Sequence, residues 1–222
     1  MEKIDFKKLN KELYAPKQEP SVIMVPAMNF IMVDGHGNPN DTDGEYNKAV
    51  ELLYALSYTI KMGRKSDFKK AGDDDFLDYT VAPLEGLWWL NDQSDMDFTQ
   101  KEKYCWTSMI RQPDFITEEI FIKAKEEASK KKPNLEVSNA RFVTFEEGLC
   151  VQCMHIGPYD AEPATIAKME TFIEENGFSY DIGSIQQDGS IRRHHEIYLN
   201  DPRKVNPANM KTILRHPVKR IS

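Results

Sequence analysis

The chain has 222 residues, of which 40% are hydrophobic, so it can bury a substantial core as one globular domain or as two small fused ones. A formal net charge of −7 argues against nucleic acid and anionic membranes as partners, because both select for a basic face. The N-terminus lacks an apolar signal segment, and no apolar run approaches the ~20 residues that cross a bilayer. The three cysteines give no even disulfide framework. Together these features predict a cytoplasmic protein.

Hydrophobic periodicity predicts four strands, a helix and a loop in the first half of the chain, after an N-terminal extension over residues 1–20. In chain order these are two short strands within 21–33, a helix over 43–62, a loop over 64–76, and strands over 76–90 and 103–111. The helix follows capping side chains and is predicted to end at Gly63, because glycine is favoured just past a helix end.

The second half repeats this order after a connecting helix. The predicted elements are the connecting helix over 115–131, strands over 141–146 and 149–156, a helix over 163–176, a loop over 177–192, and strands near 192–199 and 210–216. The lysine-rich end of the connecting helix is typical of a solvated helix terminus and complements the helix dipole there.

An internal duplication underlies this order. Residues 22–37 align without a gap to residues 142–157. Two shorter echoes follow in the same order: Trp89-Leu90-Asn91-Asp92 returns as Tyr198-Leu199-Asn200-Asp201, and Met109-Ile110-Arg111-Gln112-Pro113 returns as Ile213-Leu214-Arg215-His216-Pro217. Two copies packed about a pseudo-dyad would leave a groove between them in which a ligand would sit.

The duplication predicts an α+β fold built from tandem strand-helix-strand-strand units, with antiparallel sheets and helices on one side around the pseudo-dyad groove. The expected divisions are the extension over 1–20, repeat one over 21–113, the connecting helix and linker over 114–140, and repeat two over 141–222. We expect the two repeats to form one domain over 21–222.

Three motifs that suggest metal or phosphate chemistry have simpler explanations. Cys150 and Cys153 form a CxxC, but residues three apart in a strand face opposite ways, so two ordinary buried cysteines are expected. His194 and His195 also alternate across a strand, without a third ligand at suitable spacing. The glycines around His36 match no phosphate-binding pattern. We therefore predict neither a metal site nor a cofactor.

One strand is harder to explain as structure alone. Its alternation places His194, Glu196 and Tyr198 on one face, and a mid-strand carboxylate is costly to bury without a purpose. The duplicated strand has Glu85, Leu87 and Trp89 at the matching positions, with Trp88 beside them. Trp106 and Tyr79 lie on neighbouring strand patterns. The alternative, equally weighted from the residues, is an edge-strand glutamate at the surface and tryptophans in the core.

Several motifs together resemble the gyrase-inhibitor-like (GyrI-like) small-molecule-binding family over nearly the whole chain. They are the duplicated unit, the His-x-Gly-Pro-Tyr turn of residues 155–159, the glutamate of His-Glu-Ile-Tyr-Leu, the segment 83–89 and the segment 109–115. The resemblance implies a groove for bulky, often aromatic or cationic, molecules, with Glu196 facing the ligand. Repeat one departs from the family turn, since Gly-Asn-Pro-Asn over 37–40 replaces Gly-Pro-Tyr.

Family members occur as effector modules of transcription activators, as drug-sequestering or gyrase-binding proteins and, in one subset, as hydrolases of cyclopropane-bearing DNA-alkylating compounds. No helix-turn-helix pattern precedes the repeats, so the activator role is not expected here. The resemblance therefore implies a stand-alone protein that binds planar hydrophobic drug-like molecules. Contact with DNA gyrase is one alternative role, and sequestering or sensing without catalysis is another.

The sharper hypothesis is detoxification by cofactor-independent hydrolysis of an electrophilic cyclopropane, which would confer drug resistance. Such ring opening needs a water activated by a base and a hydrogen-bond donor at the conjugated carbonyl. Glu196 is the candidate base, and Tyr198 or Tyr159 is the candidate donor. The expected ligand-binding residues are Trp89, Trp106, Tyr79, Glu85, His194 and Trp88.

Overall fold

A computed structural model of the protein describes residues 3–63, 78–90 and 100–221. These residues form a large antiparallel sheet of nine strands with five α-helices. The strands are β1 (Ser21–Val25), β2 (Met28–His36), β3 (Leu84–Leu90), β4 (Tyr104–Gln112), β5 (Ala140–Phe145), β6 (Gly148–Ile156), β7 (Phe178–Tyr180), β8 (His194–Tyr198) and β9 (Lys211–Arg220). The helices are α1 (Phe6–Leu9), α2 (Lys11–Tyr14), α3 (Glu45–Gly63), α4 (Glu118–Lys131) and α5 (Glu162–Glu175).

The strand order is a palindrome. Eight strands run β1-β6-β9-β8-β3-β4-β2-β5, and β7 pairs with the far end of β9. The order reads the same from either edge when β1, β2, β3 and β4 are matched to β5, β6, β8 and β9. A pseudo-dyad relating the halves would therefore pass between β3 and β8, the central antiparallel pair.

Each half of the sheet is completed by a strand from the other half. β1 pairs with β6 of the second half, and β5 pairs with β2 of the first half. Since β1 and β2 are separated only by Pro26 and Ala27, the chain changes partner strands at this hinge. The exchange ties the two duplicated units into one sheet.

The three long helices cover one face of this sheet. Gln112 on that face donates to the Ser57 hydroxyl of α3, Phe121 of α4 stacks on Phe142, and Met169 of α5 packs in a cluster with Leu214. The predicted placement of these helices on one side is confirmed. α4 begins at a Thr117 cap whose side chain accepts from the amide of Ile120.

The short helices α1 and α2 lie against the opposite face and close a buried ion network. Arg215 donates to Glu147 at 3.1 Å and to the backbone oxygen of Leu13 in α2. His195 lies 3.0 Å from Glu147 and 3.1 Å from Glu85. The Tyr14 hydroxyl donates to Glu85 at 3.1 Å, so every charge in this network has a partner.

The predicted elements agree with the structure except in short segments. The two four-residue helices of the N-terminal extension and the three-residue β7, in the predicted loop 177–192, were not predicted. The strand predicted from residue 76 begins at Leu84, and its first two residues, the loop 64–76 and the echo at Asn91-Asp92 lie outside the described residues. The exact division into repeats over 21–113 and 141–222 stays a prediction.

The two cysteines of the CxxC belong to separate parts of the core. Cys150 packs in the larger hydrophobic cluster, whereas Cys153 packs with Met169 of α5. Both thiols are buried, and burial raises the pKa of each, because a thiolate would lose its hydration there. They therefore have no geometry in common that would suit one metal ion.

Candidate functional site

A cavity of about 1020 Å³ opens between α3, the start of α5 and the centre of the sheet. Aromatic side chains make up much of its wall. They are Tyr46, Tyr54, Tyr58, Trp88, Tyr104, Tyr159 and Tyr198. A cavity of this size and character suits a drug-sized molecule with flat apolar surfaces.

Glu196 lies in this cavity and is held by two neighbours on its own strand. Its Oε1 is 2.9 Å from Nε2 of His194, and its Oε2 accepts from the Tyr198 hydroxyl at 2.7 Å. The Tyr198 oxygen in turn accepts from the indole N–H of Trp88 at 2.8 Å. These bonds follow from strand alternation, which puts residues 194, 196 and 198 on one face.

A second buried carboxyl group, Glu162, meets Glu196 in the cavity. Glu162 is the first residue of α5 and only 1% exposed. Burial raises its pKa well above the usual range, and the charge of Glu196 with the hydrogen bond between the two groups raises the pKa further. The raised pKa favours the protonated form of Glu162, so the two groups can hold one proton between them.

The hydrogen-bond donors indicate which glutamate carries that proton. Glu196 Oε2 accepts from the Tyr198 hydroxyl, and this hydrogen bond stabilises the ionised form. Glu162 Oε1 has no partner among the described protein atoms. The arrangement is therefore an ionised Glu196 beside a protonated Glu162, an assignment that pairs a base with an acid.

The cavity phenols are neutral hydrogen-bond donors. Burial and the nearby Glu196 charge raise the pKa of Tyr159 to about 12, and the same causes raise the pKa values of Tyr198 and Tyr46. Tyr159 packs edge-to-face against Tyr198 with ring centroids 5.8 Å apart. Tyr46 of α3 packs against Trp88 of the sheet with ring centroids 5.4 Å apart, so the two rings together form one part of the aromatic wall.

Gly86 explains how the Trp88–Tyr198 bond is accommodated. A Cβ at this position would lie 2.6 Å from the indole nitrogen of Trp88 and 3.3 Å from the Tyr198 hydroxyl. A side chain here would therefore displace the donor that orients Tyr198. The glycine leaves room for both rings directly opposite Glu196 in the sheet.

Four of the predicted residues, Glu196, Tyr198, Tyr159 and Trp88, line the cavity together. His194 lies behind Glu196, is 2% exposed and contacts its carboxylate instead of lining the cavity.

The predicted placement of Glu85 and Trp89 beside Glu196 is wrong. In the sheet, Glu196 pairs with Gly86 and Tyr198 pairs with Leu84, so the even-numbered residues of β3 share their face. Aligning Trp89 with Tyr198 is therefore one residue out of phase, which turns the side chains to the opposite face. Glu85 belongs to the ion network there, and Trp89 packs under the guanidinium of Arg193, 4.5 Å from its ring centroid.

Trp106 and Tyr79 are core residues and do not line the cavity. Trp106 is 1% exposed and lies beneath Tyr46 and the backbone of Gly35, whose missing side chain makes room for the indole. Tyr79 is also 1% exposed and packs against Phe115. The core alternative left open by the sequence holds for these two aromatic residues.

Glu162 is the main site residue that the sequence analysis missed. It follows the His-x-Gly-Pro-Tyr turn by three residues, and acidic residues in a first helical turn ordinarily complement the helix dipole at the surface. Its distance of 34 residues from Glu196 in sequence gave no sign of their contact. Tyr46, Tyr54 and Tyr58 of α3 also line the cavity and were not predicted as site residues.

One group of described residues has donor atoms close enough to hold a metal ion. Glu162, His194 and Glu196 each offer one such atom, and these atoms lie within 4.8 Å of one another. Glu196 is already bonded to His194 and Tyr198, whereas Glu162 Oε1 has no partner among the described protein atoms.

Comparisons with known proteins agree with this fold and cavity. A model of the GyrI-like small molecule binding domain matches residues 18–219. A crystal structure of an uncharacterized conserved protein from Listeria innocua is 51% identical, with a TM-score of 0.87 over 98% of this chain and 100% of that chain. A crystal structure described as a hydrolase from Listeria innocua is 50% identical, with a TM-score of 0.84 over the same shares. None of the curated proteins matches.

A more distant relative shows the fold alone. The C-terminal domain of EcmrR is 13% identical, with a TM-score of 0.51 over 91% of this chain and 98% of that chain. The described segments contain no helix that is both long and apolar enough to cross a membrane. The palindromic sheet and its cavity define a small-molecule-binding protein. The chain belongs to the GyrI-like small-molecule-binding domain family.

Proposed function

We propose that the protein hydrolyses electrophilic cyclopropane-bearing genotoxins and thereby detoxifies them. The observation that carries this proposal is the carboxyl pair of Glu162 and Glu196 in the wall of an aromatic cavity, where burial and the charge of Glu196 raise the pKa of Glu162 well above its usual value. The hydrolase from Listeria innocua, at 50% identity, supports a hydrolytic role.

The pair can supply both proton transfers of the reaction. Glu196 accepts a proton from water as the water oxygen bonds to a cyclopropane carbon. The bond between that carbon and the ring carbon conjugated to the carbonyl breaks, and its electron pair moves to the carbonyl oxygen of the substrate. Glu162 donates its proton to that oxygen, so one molecule of water is added and the single proton of the pair is restored.

The aromatic walls position the substrate for this attack. Trp88 and Tyr46 face the cavity from the sheet and from α3, with ring centroids 5.4 Å apart. Tyr159 is a neutral phenol that can hydrogen-bond to the developing oxyanion, whereas the single O–H of Tyr198 already donates to Glu196. The ring that opens would lie beside Glu196, and the flat remainder would stack on the aromatic side chains.

The direct test is incubation with a cyclopropane-containing alkylator, followed by mass spectrometry of the small molecule. A product heavier by one water, formed in proportion to enzyme and absent with heat-denatured protein, is the expected result. Intact alkylator bound to native protein would instead support the second candidate function, which is sequestering. That alternative uses the same aromatic walls and needs no activated water.

A further inference from the structure

Two buried histidines continue the site away from the cavity. Nδ1 of His194 lies 2.6 Å from Nε2 of His216, and the ring centroids are 4.8 Å apart. The other ring nitrogen of His194 contacts Glu196. His216 is 4% exposed, and the proposed chemistry assigns it no role.

The contacts of His216 determine where the protons lie in this chain of groups. Its Nδ1 is buried and has no partner among the described protein atoms. A buried N–H without an acceptor is rarer and costlier than an unused lone pair, so the hydrogen of His216 belongs on Nε2. From there it donates to Nδ1 of His194, which leaves the hydrogen of His194 on Nε2, facing Glu196.

Both imidazoles are therefore neutral, and the negative charge resides on Glu196. Burial lowers the pKa of His216 well below its usual value, in agreement with a neutral ring at this position. Tyr180 covers His216 with an edge-to-face contact at 5.4 Å, so the outer end of the chain is closed by an apolar ring.

We propose that His216 is a positioning residue that fixes the tautomer of His194 and, through it, the ionised state and orientation of Glu196. This inference rests on the proposed function, in which Glu196 is the base. A bare Nε2 on His194 would set its lone pair against a carboxylate oxygen only 2.9 Å away. Glu196 would then have to rotate or take up a proton, and in either case it could not activate water.

The tautomers can be measured without any substrate, by nitrogen NMR of protein with isotope-labelled histidine. In the wild-type protein, both His194 and His216 should show a protonated Nε2 and a bare Nδ1. In His216→Met, His194 should lose the fixed Nε2–H form and show a mixture of tautomers. A protonated Nδ1 on either ring of the wild-type protein would overturn the proposal.

Two variants of matched length separate the hydrogen bond from simple packing. His216→Gln retains an N–H near the position of Nε2, whereas His216→Met fills a similar space without a donor. Turnover should fall on the order of 10²-fold in the methionine variant, since the base is misplaced, and recover largely in the glutamine variant. KM should change little in either variant, because His194 and His216 do not line the cavity.

Each outcome of this comparison is decisive. Equal activity in both variants, whether high or low, would show that the donor at position 216 does not matter. If the wild-type protein opens no cyclopropane, the hydrolase proposal fails. The tautomer measurements still test the positioning role in that case, because they need only the resting protein.

Discussion

At the scale of single residues, the pairing of Glu162 with Glu196 gives the cavity its chemistry. Neither glutamate alone would be unusual, but together in a buried place they share one proton. Glu196 was predicted from strand alternation, because a carboxylate in the middle of an aromatic strand needs an explanation. Glu162 was not, because a glutamate at a helix start looks the same in sequence whether it lies at the surface or in a cavity.

The acid role of Glu162 predicts the alkaline side of the pH profile. The protonated form is the donor, and its pKa is raised, so turnover should persist through neutral pH and decline as pH rises through that raised pKa. Glu162→Gln keeps an N–H donor toward Glu196 but has no proton to transfer. Rates measured across pH should show low activity in this variant, and an unchanged alkaline limb would contradict the assignment.

Trp88 and Trp89 offer a matched pair of substitutions. Trp88 lines the cavity beside Tyr198, whereas Trp89 lies on the opposite face under Arg193. Trp88→Ala should weaken binding of a planar ligand about fivefold or more, since it removes a stacking surface worth roughly 1 kcal/mol or more. Trp89→Ala should leave ligand affinity nearly unchanged. Titration calorimetry would decide, and equal losses would contradict this orientation of β3.

At the scale of elements, hydrophobic periodicity predicted the long helices and most strands, but it did not predict the register of the strands. Helices α3, α4 and α5 each span at least 14 residues, so their apolar stripes are unambiguous. Helices α1 and α2 have four residues each and are stabilised by tertiary contacts such as Arg215 to Leu13. A one-residue change in the register of β3 would move its side chains to the opposite face of the sheet. Similarity between two sequence motifs does not determine which register the strand adopts.

The ion network under α1 and α2 should make stability depend on pH. Burial would raise the pKa of Glu147, but His195 and Arg215 outweigh it and lower the pKa to about 2. Burial would lower the pKa of His195, but Glu147 and Glu85 raise it to about 9. The contribution of His195 to folding stability is complete below its unfolded pKa and is lost as pH rises toward about 9. The contribution of Glu147 is lost as pH falls from its unfolded pKa toward about 2.

Thermal unfolding should therefore show a maximum between about pH 4.5 and 6.5, the ordinary pKa values of the two groups. Glu147→Gln leaves Arg215 without its carboxylate partner and His195 with Glu85 alone, and it should cost about 3–5 kcal/mol of unfolding free energy. The fall in melting temperature at acid pH should be smaller in this variant. A wild-type melting temperature that stays constant from neutral pH to above pH 9 would contradict the role of His195.

At the scale of the whole molecule, the exchange of β1 and β5 makes the two halves interdependent. Duplication could be recognised in the sequence, because residues 22–37 echo 142–157. The exchange could not, since strand partners are set by the path of the chain at Pro26-Ala27 and at the linker before β5. The same sequence pattern is compatible with two self-contained sheets.

Separate fragments test this interdependence. Residues 1–135 and 136–222, produced apart, should each fail to fold cooperatively, because β6 would lack β1 and β2 would lack β5. Mixed together, they should regain a cooperative thermal transition and the far-ultraviolet spectrum of the intact protein. Fragments that each unfold cooperatively on their own, with no gain on mixing, would show that the halves are independent.

The hydrolase claim depends most directly on Glu196. We would compare wild-type protein with Glu196→Gln in isotope-labelled water, and measure how fast label enters a cyclopropane-bearing alkylator. Labelled product should form with the wild-type protein and fall roughly 10²–10⁴-fold in the variant, while affinity for a planar neutral ligand changes little. Equal label incorporation by both proteins, or none by the wild-type protein despite tight binding, would contradict the account.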